Sequence, residues 1–279
     1  MWLDQWKETA VFFRLFSNFR TAFKTSSDYF QNSWLASYSG RHESLKSSPP
    51  LALSDGLLWR QLPDCPAALL DAGRAQLGNL LYVICGFESL EKVSNTVHVL
   101  DMTNQKWLSS IPAPLELPNT HFGVAHDGNR YIYIAGGQLG PNCSPAVPTV
   151  YCFDTTETSW HLLPALPASR YAGSLQLWNG RLHFIGGADE DRWTARSEPW
   201  SIAVAGSSAM YCHWSIENPI PVPGMHRGIA LVDDQLYVFG GQQGDFVPIP
   251  DDPDYTCTGN TQETYLQSVF RLSRPGGDW

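Results

Sequence analysis

One pattern of apolar and polar positions recurs along the chain, and its clearest copy lies at residues 131–160. A short apolar run (YIYIA) ends in a glycine pair; a long loop follows, then a second apolar run, Asp154, a polar turn and Trp160. Short runs rich in aromatic and β-branched residues, bounded by glycine and turn residues, predict β-strands. The aspartate predicts a turn in which its carboxylate accepts hydrogen bonds from nearby main-chain N–H groups.

The same plan appears four times, at intervals of roughly fifty residues, and this period is typical of propeller blades. The apolar run with its glycines recurs at residues 81–86, 131–137, 182–187 and 236–241, with Cys85 replacing the first glycine of the first copy. We therefore predict an all-β protein, a β-propeller with four-stranded blades; the alternative is another all-β array of repeated hairpins. The residues expected to carry the repeat are Gly86, Gly136, Gly137, Gly186, Gly187, Gly240, Gly241, Asp101, Asp154, Trp107, Trp160, Trp214 and Trp279.

The repeat divides the chain into two parts. Residues 56–279 form the predicted propeller domain, with four blades at about 71–110, 121–163, 171–216 and 226–279. Residues 57–62 resemble the last strand of a blade and are expected to form a single strand without inner partners. Three accounts compete, in this order: a truncated product, a four-bladed ring, and an arc completed by a partner. An open arc exposes apolar blade surface that a closed ring buries.

Residues 1–55 lie outside the repeat and predict an amphipathic helix followed by a linker. Four phenylalanines share one helical face, with basic residues between them: Phe12, Phe16, Phe19 and Phe23. Such a helix binds a membrane surface, docks on the propeller or remains a flexible leader, and we favour the last two. The segment has no apolar run long enough to span a bilayer, so membrane association would be peripheral.

Composition narrows the classes of partner. The chain has 18 Lys and Arg against 27 Asp and Glu, a net charge of −9, so it lacks the basic footprint of a nucleic-acid-binding protein. Six cysteines in 279 residues do not make a disulfide scaffold. The histidines show no ligand spacing. We therefore expect no catalytic, metal or cofactor-binding residues.

Alternation of strands places the loops after the second strands on one face, together with the connections between blades. The long loops are there, at residues 138–148, 188–199 and 242–262, and binding residues concentrate on such loops. Charged residues at the inner strands have an alternative role, in which they bond main-chain carbonyls between blades. The acids of the last loop favour a solvated segment over a calcium site. The candidate ligand-face residues are Arg170, Tyr171, Arg227, Gln138, Asp245 and Phe246.

Two covalent modifications are candidates on the same loops. Cys143 and Cys257 lie in corresponding loops of blades two and four, and in an oxidising compartment they pair with each other or with other cysteines. Asn142 begins an N-x-S sequence, which accepts a glycan if the protein enters the secretory route.

Several motifs resemble a known family. The glycine pair, the third-strand acid and the tryptophan resemble the repeats of the kelch superfamily. Beyond that, residues 131–143 (YIYIAGGQLGPNC), 176–187 (QLWNGRLHFIGG), 200–204 (WSIAV) and 232–246 (VDDQLYVFGGQQGDF) are similar to plant kelch-repeat proteins grouped as the galactose oxidase/kelch superfamily. The resemblance covers residues 59–279.

The resemblance implies a six-bladed propeller behind a short N-terminal membrane anchor, with no established activity. It implies that Cys143 and Cys257 match family cysteines, and a Golgi, secretory-lumen or membrane-associated setting; a leader without targeting function would leave the protein cytoplasmic. Compared with that family, the first fifty residues of this sequence lack the anchor. The family pattern also leads us to expect two blades beyond the fourth. The copper-radical ligands of galactose oxidase cannot be placed here.

These observations favour a non-enzymatic binding or scaffold protein that recognises a protein or glycan through its long-loop face. The first alternative is a carbohydrate-modifying or oxidative enzyme using the central channel, for which polar groups should converge around Arg170, Arg227 and Tyr171. The second is a truncated product without stable function.

Overall fold

The computed structural model describes residues 60–89, 91–117, 120–140, 143–245 and 263–279. These residues form β-strands joined by turns and loops, and they include no α-helix. The chain divides between Cys65 and Pro66, and Pro66–Trp279 is one compact unit. The predicted N-terminal helix and linker, together with Asn142, Phe246 and Cys257, lie outside the described residues, so those predictions stay predictions.

The first two blades are antiparallel sheets whose strands follow chain order from the inner to the outer edge. Blade one comprises β1 (Gly73–Leu77), β2 (Leu80–Ser89), β3 (Lys92–Asp101) and β4 (Lys106–Trp107), with β5 (Ile111–Pro112) also paired to β3. Blade two comprises β6 (Gly123–His126), β7 (Tyr131–Ala135), β8 (Val150–Asp154) and β9 (Ser159–Leu163).

The last two blades follow the same order with local departures. Blade three comprises β10 (Tyr171–Trp178), β11 (Arg181–Ala188), β12 (Trp200–Ala205) and β13 (Ser208–Ala209), with β14 (Ser215–Ile216) also paired to β12. Blade four comprises β15 (Gly228–Val232), β16 (Gln235–Phe239) and β19 (Val269–Leu272), and a separate ribbon is formed by β17 (Gln242–Gln243) and β18 (Thr264–Tyr265). The predicted all-β propeller is confirmed. No helix in the described part of the chain has the length and apolar character needed to cross a bilayer.

Blade four differs from its predicted four strands. Within its described residues the sheet has three strands, because the chain turns away after Leu272. Pro275 has no N–H to donate to a ladder, and Gly276 has a φ of 68°, so this sequence cannot continue as a regular strand. Residues 60–62, the described end of the predicted single strand, are likewise outside any strand.

Neighbouring blades pack through their alternating apolar residues. Blades one and two share one core cluster that includes Ile84 and Phe153, and blades two and three share another that includes Tyr133 and Phe184. A smaller cluster joins blade three to blade four. Each strand of blade two contributes to both neighbours because successive side chains point to opposite faces of the sheet.

The glycine pairs lie where one blade meets the loop before the next. The N–H of Gly137 donates to the carbonyl of Arg170 at 2.7 Å, and the N–H of Gly187 donates to that of Gly224 at 3.0 Å. A Cβ atom added to Gly136 would lie 2.5 Å from the Arg170 oxygen, far inside van der Waals contact. Glycine is therefore required by the close approach of the following blade.

Three of the closing tryptophans connect their blades to the preceding blade. The indole N–H of Trp160 donates to the carbonyl of Pro112 at 3.2 Å, and that of Trp214 donates to Pro164 at 2.9 Å. Trp279 makes the same kind of bond to Asn218 at 2.9 Å although it lies outside a strand. The repeated tryptophan thus supplies both apolar surface and a long-range hydrogen bond.

The third-strand aspartates form the predicted turns. Asp101 accepts hydrogen bonds from the N–H groups of Thr103 and Asn104 at 2.9 and 3.2 Å. Asp154 accepts the equivalent bonds from Thr156 and Glu157 at 3.0 and 3.1 Å. Blade three has no aspartate here, and its β12–β13 turn is shorter.

Candidate functional site

At the start of each inner strand, one residue has a left-handed backbone. Asp71, His121, Ala172 and His226 have φ values of 53, 54, 53 and 52°. The N–H of Ala172 donates to the carbonyl of His121 at 2.7 Å, and the N–H of His226 donates to that of Ala172 at 2.9 Å. This chain of main-chain bonds runs along the inner edge of the blades and gathers the side chains of successive blades at one place.

Six side chains meet there, and we call them the inner-edge cluster. They come from the starts of inner strands and from the long loops of blades three and four. Its members are Asp71, His121, Tyr171, Arg192, His226 and Asp245.

Asp245 is the most buried carboxylate of the cluster, with 3 % of its side chain exposed. It accepts a hydrogen bond from the Tyr171 hydroxyl at 3.0 Å and one from Arg192 Nη2 at 2.7 Å, and His226 Nε2 lies 3.9 Å from the same oxygen. Burial raises the pKa of Asp245, but the neighbouring His226 and Arg192 outweigh it, so the pKa lies below its usual value. The carboxylate is therefore charged and is held by contacts from blades three and four.

His121 lies at the centre of the aromatic members. Its Nε2 is 3.4 Å from Asp71 Oδ2, and its ring lies edge-on to His226 and Tyr171, with centroids 5.5 and 6.1 Å apart. Burial lowers the pKa of His121, and Asp71 opposes that shift. The buried Nδ1 atom has no hydrogen-bond partner among the described residues. One nitrogen of the buried His121 ring is thus without a hydrogen-bond partner among the described residues.

Arg192 joins the loops of three blades. Its own loop follows the second strand of blade three; Nη2 reaches Asp245 of blade four, and Nη1 donates to the carbonyl of Cys143 in blade two at 3.2 Å. The guanidinium also lies 5.0 Å from the centroid of the Tyr171 ring. A single side chain therefore connects described residues of three long loops.

Comparisons with known proteins bear on this architecture. Residues 120–167 match the Kelch motif. A kelch repeat-containing protein of Arabidopsis thaliana is 40 % identical over 216 residues, which cover 77 % of this chain and 50 % of the relative. The chain belongs to the kelch-repeat proteins.

Two further likenesses agree with this family. Kelch repeat and BTB domain-containing protein 13 of Homo sapiens is 36 % identical over 149 residues, covering 53 % of this chain and 31 % of that protein. The solved structure of YjhT shares the fold, with a TM-score of 0.60 and 16 % identity over 77 % of this chain and 71 % of that one. The chain spans 50 % of the Arabidopsis relative and 31 % of the human relative.

The kelch blades bring together only part of the predicted ligand-face set. Tyr171 and Asp245 meet in the inner-edge cluster. Gln138 is fully buried, and its Nε2 donates to the carbonyl of Cys143 at 2.5 Å, so it supports the loop of blade two from beneath. The position of Phe246 lies outside the described residues.

Arg170 and Arg227 have the alternative role considered from the sequence, in which a charged side chain bonds main-chain carbonyls between blades. Both are buried, at 3 and 6 % exposure. Arg170 donates to the carbonyl of Gly186 at 3.2 Å and stacks on Trp200, and Arg227 donates to that of Val222 at 2.8 Å. These two guanidinium groups connect main-chain segments between blades and do not converge on Tyr171.

The sequence reasoning missed Asp71, His121, His226 and Arg192 as a group. Asp71, His121 and His226 could have been found from the sequence, because each lies two residues before a glycine of an inner strand. Strand register places these glycines at equivalent positions of their blades: Gly73, Gly123 and Gly228. Aligning the blades on those glycines places an ionisable side chain at the same point three times. Arg192 had no such signal, since it lies in an irregular loop.

The cluster supports recognition of polar groups. Among the described residues, no group of three or more His, Cys, Asp or Glu side chains has a geometry that could hold a metal ion. Asp71 and His226 remain partly exposed, at 41 and 34 % of their side chains, above the buried Tyr171–Asp245–Arg192 network. A buried hydrogen-bonded network with two accessible ionisable side chains beside it can orient hydrogen bonds to a ligand.

Cys143 is buried beneath this cluster. Its predicted partner Cys257 and the predicted glycosylation site at Asn142 both lie outside the described residues, so both modifications stay predictions.

Proposed function

We propose that the chain is a non-enzymatic binding module that recognises a protein partner through its long-loop face, centred on the inner-edge cluster. Kelch-repeat proteins generally act as protein-interaction scaffolds, which supports this class of function. The observation that carries the proposal is the bonding of Asp245 by Tyr171 and Arg192, because it holds loops of different blades in one fixed surface.

Pre-organisation is the physical advantage of this arrangement. Side chains that are already held in place lose little conformational freedom on binding, so more of the contact energy appears as affinity. The exposed parts of Asp71 and His226 supply a carboxylate acceptor and an imidazole hydrogen-bonding group at the rim of the cluster. The enzyme alternative required convergence of Arg170 and Arg227 on Tyr171, and both arginines bond carbonyls elsewhere.

The test compares capture of cellular proteins by three immobilised full-length chains: wild type, the double variant Asp71→Lys with His226→Glu, and Asn129→Lys. Asn129 is exposed in the β6–β7 turn on the opposite face, so it controls for a change of surface charge. We expect at least one protein to be retained by wild type and by Asn129→Lys and to be lost about tenfold by the double variant.

Direct titration of that protein against the three chains by calorimetry then measures the affinity. The proposal fails if every retained protein binds the double variant as tightly as wild type, provided that circular dichroism shows both to be folded.

A further inference from the structure

A shallow groove lies between the last strand of blade two and the chain that follows β12 in blade three. It has a volume of about 700 Å³ and is lined by residues 160–164 and 207–212, and we call it the outer groove. Pockets that bind drug-sized ligands have volumes of roughly 300–1,000 Å³. The inner-edge cluster lies at the inner strands of the same sheets, so the outer groove is a separate site.

One wall of the outer groove comes from an interruption in the outer strand of blade three. Ser201 and Val204 are three residues apart on β12, whereas their partners on the outer side, Ser215 and Ala209, are six apart. In blade two, by contrast, β9 pairs with β8 without a break. The extra residues of blade three, within 210–214, therefore leave the ladder and lie beside β9.

Three large apolar side chains of the outer groove are exposed to solvent. Leu162 on β9 is 68 % exposed, and Met210 and Tyr211 on the opposite wall are 63 and 58 % exposed. Exposed apolar side chains grouped around a concave surface are typical of interaction sites. The unbranched Met210 can adapt its shape to different neighbours. The two walls thus offer apolar contacts to an occupant that lies between them.

The outer groove follows the edge of β9 and not one of its faces. Successive side chains of a strand point to opposite faces of the sheet, yet five successive residues, 160–164, line the groove. A site that touches all of them runs along the strand edge, where an outermost strand directs main-chain N–H and C=O groups away from its sheet. Among the described residues, β9 is the last strand of blade two. An occupant of the groove can therefore pair with the main chain of β9.

The lining of the outer groove is uncharged and continues an interface within the protein. None of its eleven lining residues, all of them described, is Asp, Glu, Lys or Arg, although the chain carries a net charge of −9. Burying an unpaired charge against such a lining is unfavourable. Leu163 belongs to the core cluster shared by blades two and three, and Ala209 packs against that cluster. Apolar groups of an occupant would extend this cluster outward.

We infer that the outer groove binds an extended, uncharged peptide segment of a partner protein. The segment pairs with β9 as an additional strand and places alternate apolar side chains against Leu162, Met210 and Tyr211. At about 3.3 Å per residue, the five lining residues at the β9 edge span roughly 16 Å, which matches a segment of about five residues. The inference is independent of the inner-edge cluster and of its proposed partner.

The test begins with random eight-residue peptides displayed on phage and selected on the immobilised full-length chain. Peptides that prefer wild type over Leu162→Arg are kept, and we expect them to carry apolar residues at alternate positions with no charge between them. Met210→Arg, on the opposite wall, should bind the same peptides at least tenfold more weakly. Leu115→Arg is the matched control, because Leu115 is 79 % exposed outside the groove, and it should bind them as wild type does. The absence of any peptide that prefers wild type overturns the inference.

Pairing with β9 is tested by N-methylation of each main-chain N–H of one selected peptide in turn. A strand donates every second N–H to its neighbour, so affinity measured by fluorescence anisotropy should fall at least tenfold at alternate positions and little at those between. An N-methylation series without this alternation overturns the inference, because the main chain is then not recognised. Self-association of the chain in sedimentation experiments that Leu162→Arg abolishes also overturns it, since a second copy is then the occupant.

Discussion

Blades two and three follow one backbone plan, but the surfaces that they offer to the next blade differ in chemistry. Blade two meets blade three through apolar side chains, whereas matched positions of blade three toward blade four include buried polar groups. By strand register the three pairs are Ala125 and Gln176, Tyr133 and His183, and Cys152 and Ser201.

The polar interface is held by directed hydrogen bonds. Ser174 Oγ donates to the carbonyl of Arg227 at 2.7 Å, and Trp178 Nε1 donates to Asp234 at 2.7 Å. Behind them the fully buried His183 contacts Glu217 Oε2 at 3.1 Å. An apolar interface is stabilised in proportion to buried area, whereas this one combines a smaller apolar cluster with particular hydrogen-bonded pairs that must remain together. The comparison teaches that one repeat can assemble by either means.

The largest effect is expected from the apolar interface. Phe184→Ala should lower the free energy of unfolding by about 3–5 kcal/mol, because a fully buried ring is replaced by a cavity. Urea denaturation followed by tryptophan fluorescence measures this. Leu162→Ala, at a side chain 68 % exposed on β9, is the control and should change stability by less than about 0.5 kcal/mol. A loss below about 1 kcal/mol for Phe184→Ala would contradict the comparison.

The polar pair of blade three behind this interface should respond next, and with a pH dependence. Glu217→Ala leaves His183 buried without its carboxylate and should cost about 1–3 kcal/mol at neutral pH. Burial raises the pKa of Glu217, but the bond with His183 outweighs it, so the folded pKa is depressed. The stabilisation is therefore present above the unfolded pKa and is lost as pH falls through the folded pKa.

Urea midpoints of wild type and Glu217→Ala, measured from pH 7 to pH 3, check this pH dependence. Their difference should shrink toward the acid end. A difference that is constant with pH would assign the loss to packing instead of charge.

Asp154 gives a smaller effect that is confined to blade two. Arg130 binds this carboxylate at 2.7 and 2.6 Å and holds its pKa at about 2. Asp154→Asn should lower Tm by about 2–4 °C near neutral pH. Since a depressed pKa stabilises above the unfolded value near 4 and loses that effect as pH falls toward 2, the two melting curves should converge in that range. Divergence on acidification would refute the assignment.

The smallest effect concerns a hydrogen bond across the apolar interface. The hydroxyl of Tyr133 donates to the carbonyl of Gly206 in the β12–β13 turn at 2.8 Å. Tyr133→Phe keeps the ring and should cost only about 0.5–1.5 kcal/mol, by chemical denaturation. A cost matching that of Phe184→Ala would mean that this interface also depends on a directed bond.

Much of the fold could be predicted because its signals are local. The strand Tyr131–Ala135 matches its predicted bounds, since its apolar run and glycine pair lie side by side in sequence. That the described residues of blade four form only three strands of its sheet was not predicted, because Trp279 keeps its hydrogen bond to the preceding blade while the proline and glycines before it prevent pairing.

The candidate site was less predictable because its bonds join distant loops. Arg170 and Arg192 are both arginines near the long-loop face, and composition cannot tell them apart. Arg170 stacks on Trp200 and bonds Gly186, whereas Arg192 reaches Asp245, 53 residues away. Only the three-dimensional arrangement of the blades decides which carbonyl or carboxylate each guanidinium meets.

The tryptophan bonds between blades also have a direction along the chain. Trp160, Trp214 and Trp279 donate to carbonyls that lie 48, 50 and 61 residues earlier, respectively. During synthesis the acceptor of each bond has therefore left the ribosome before its donor is made. A blade can be fastened as soon as its last strand emerges, without waiting for later sequence, and the protein can assemble in the order in which it is translated.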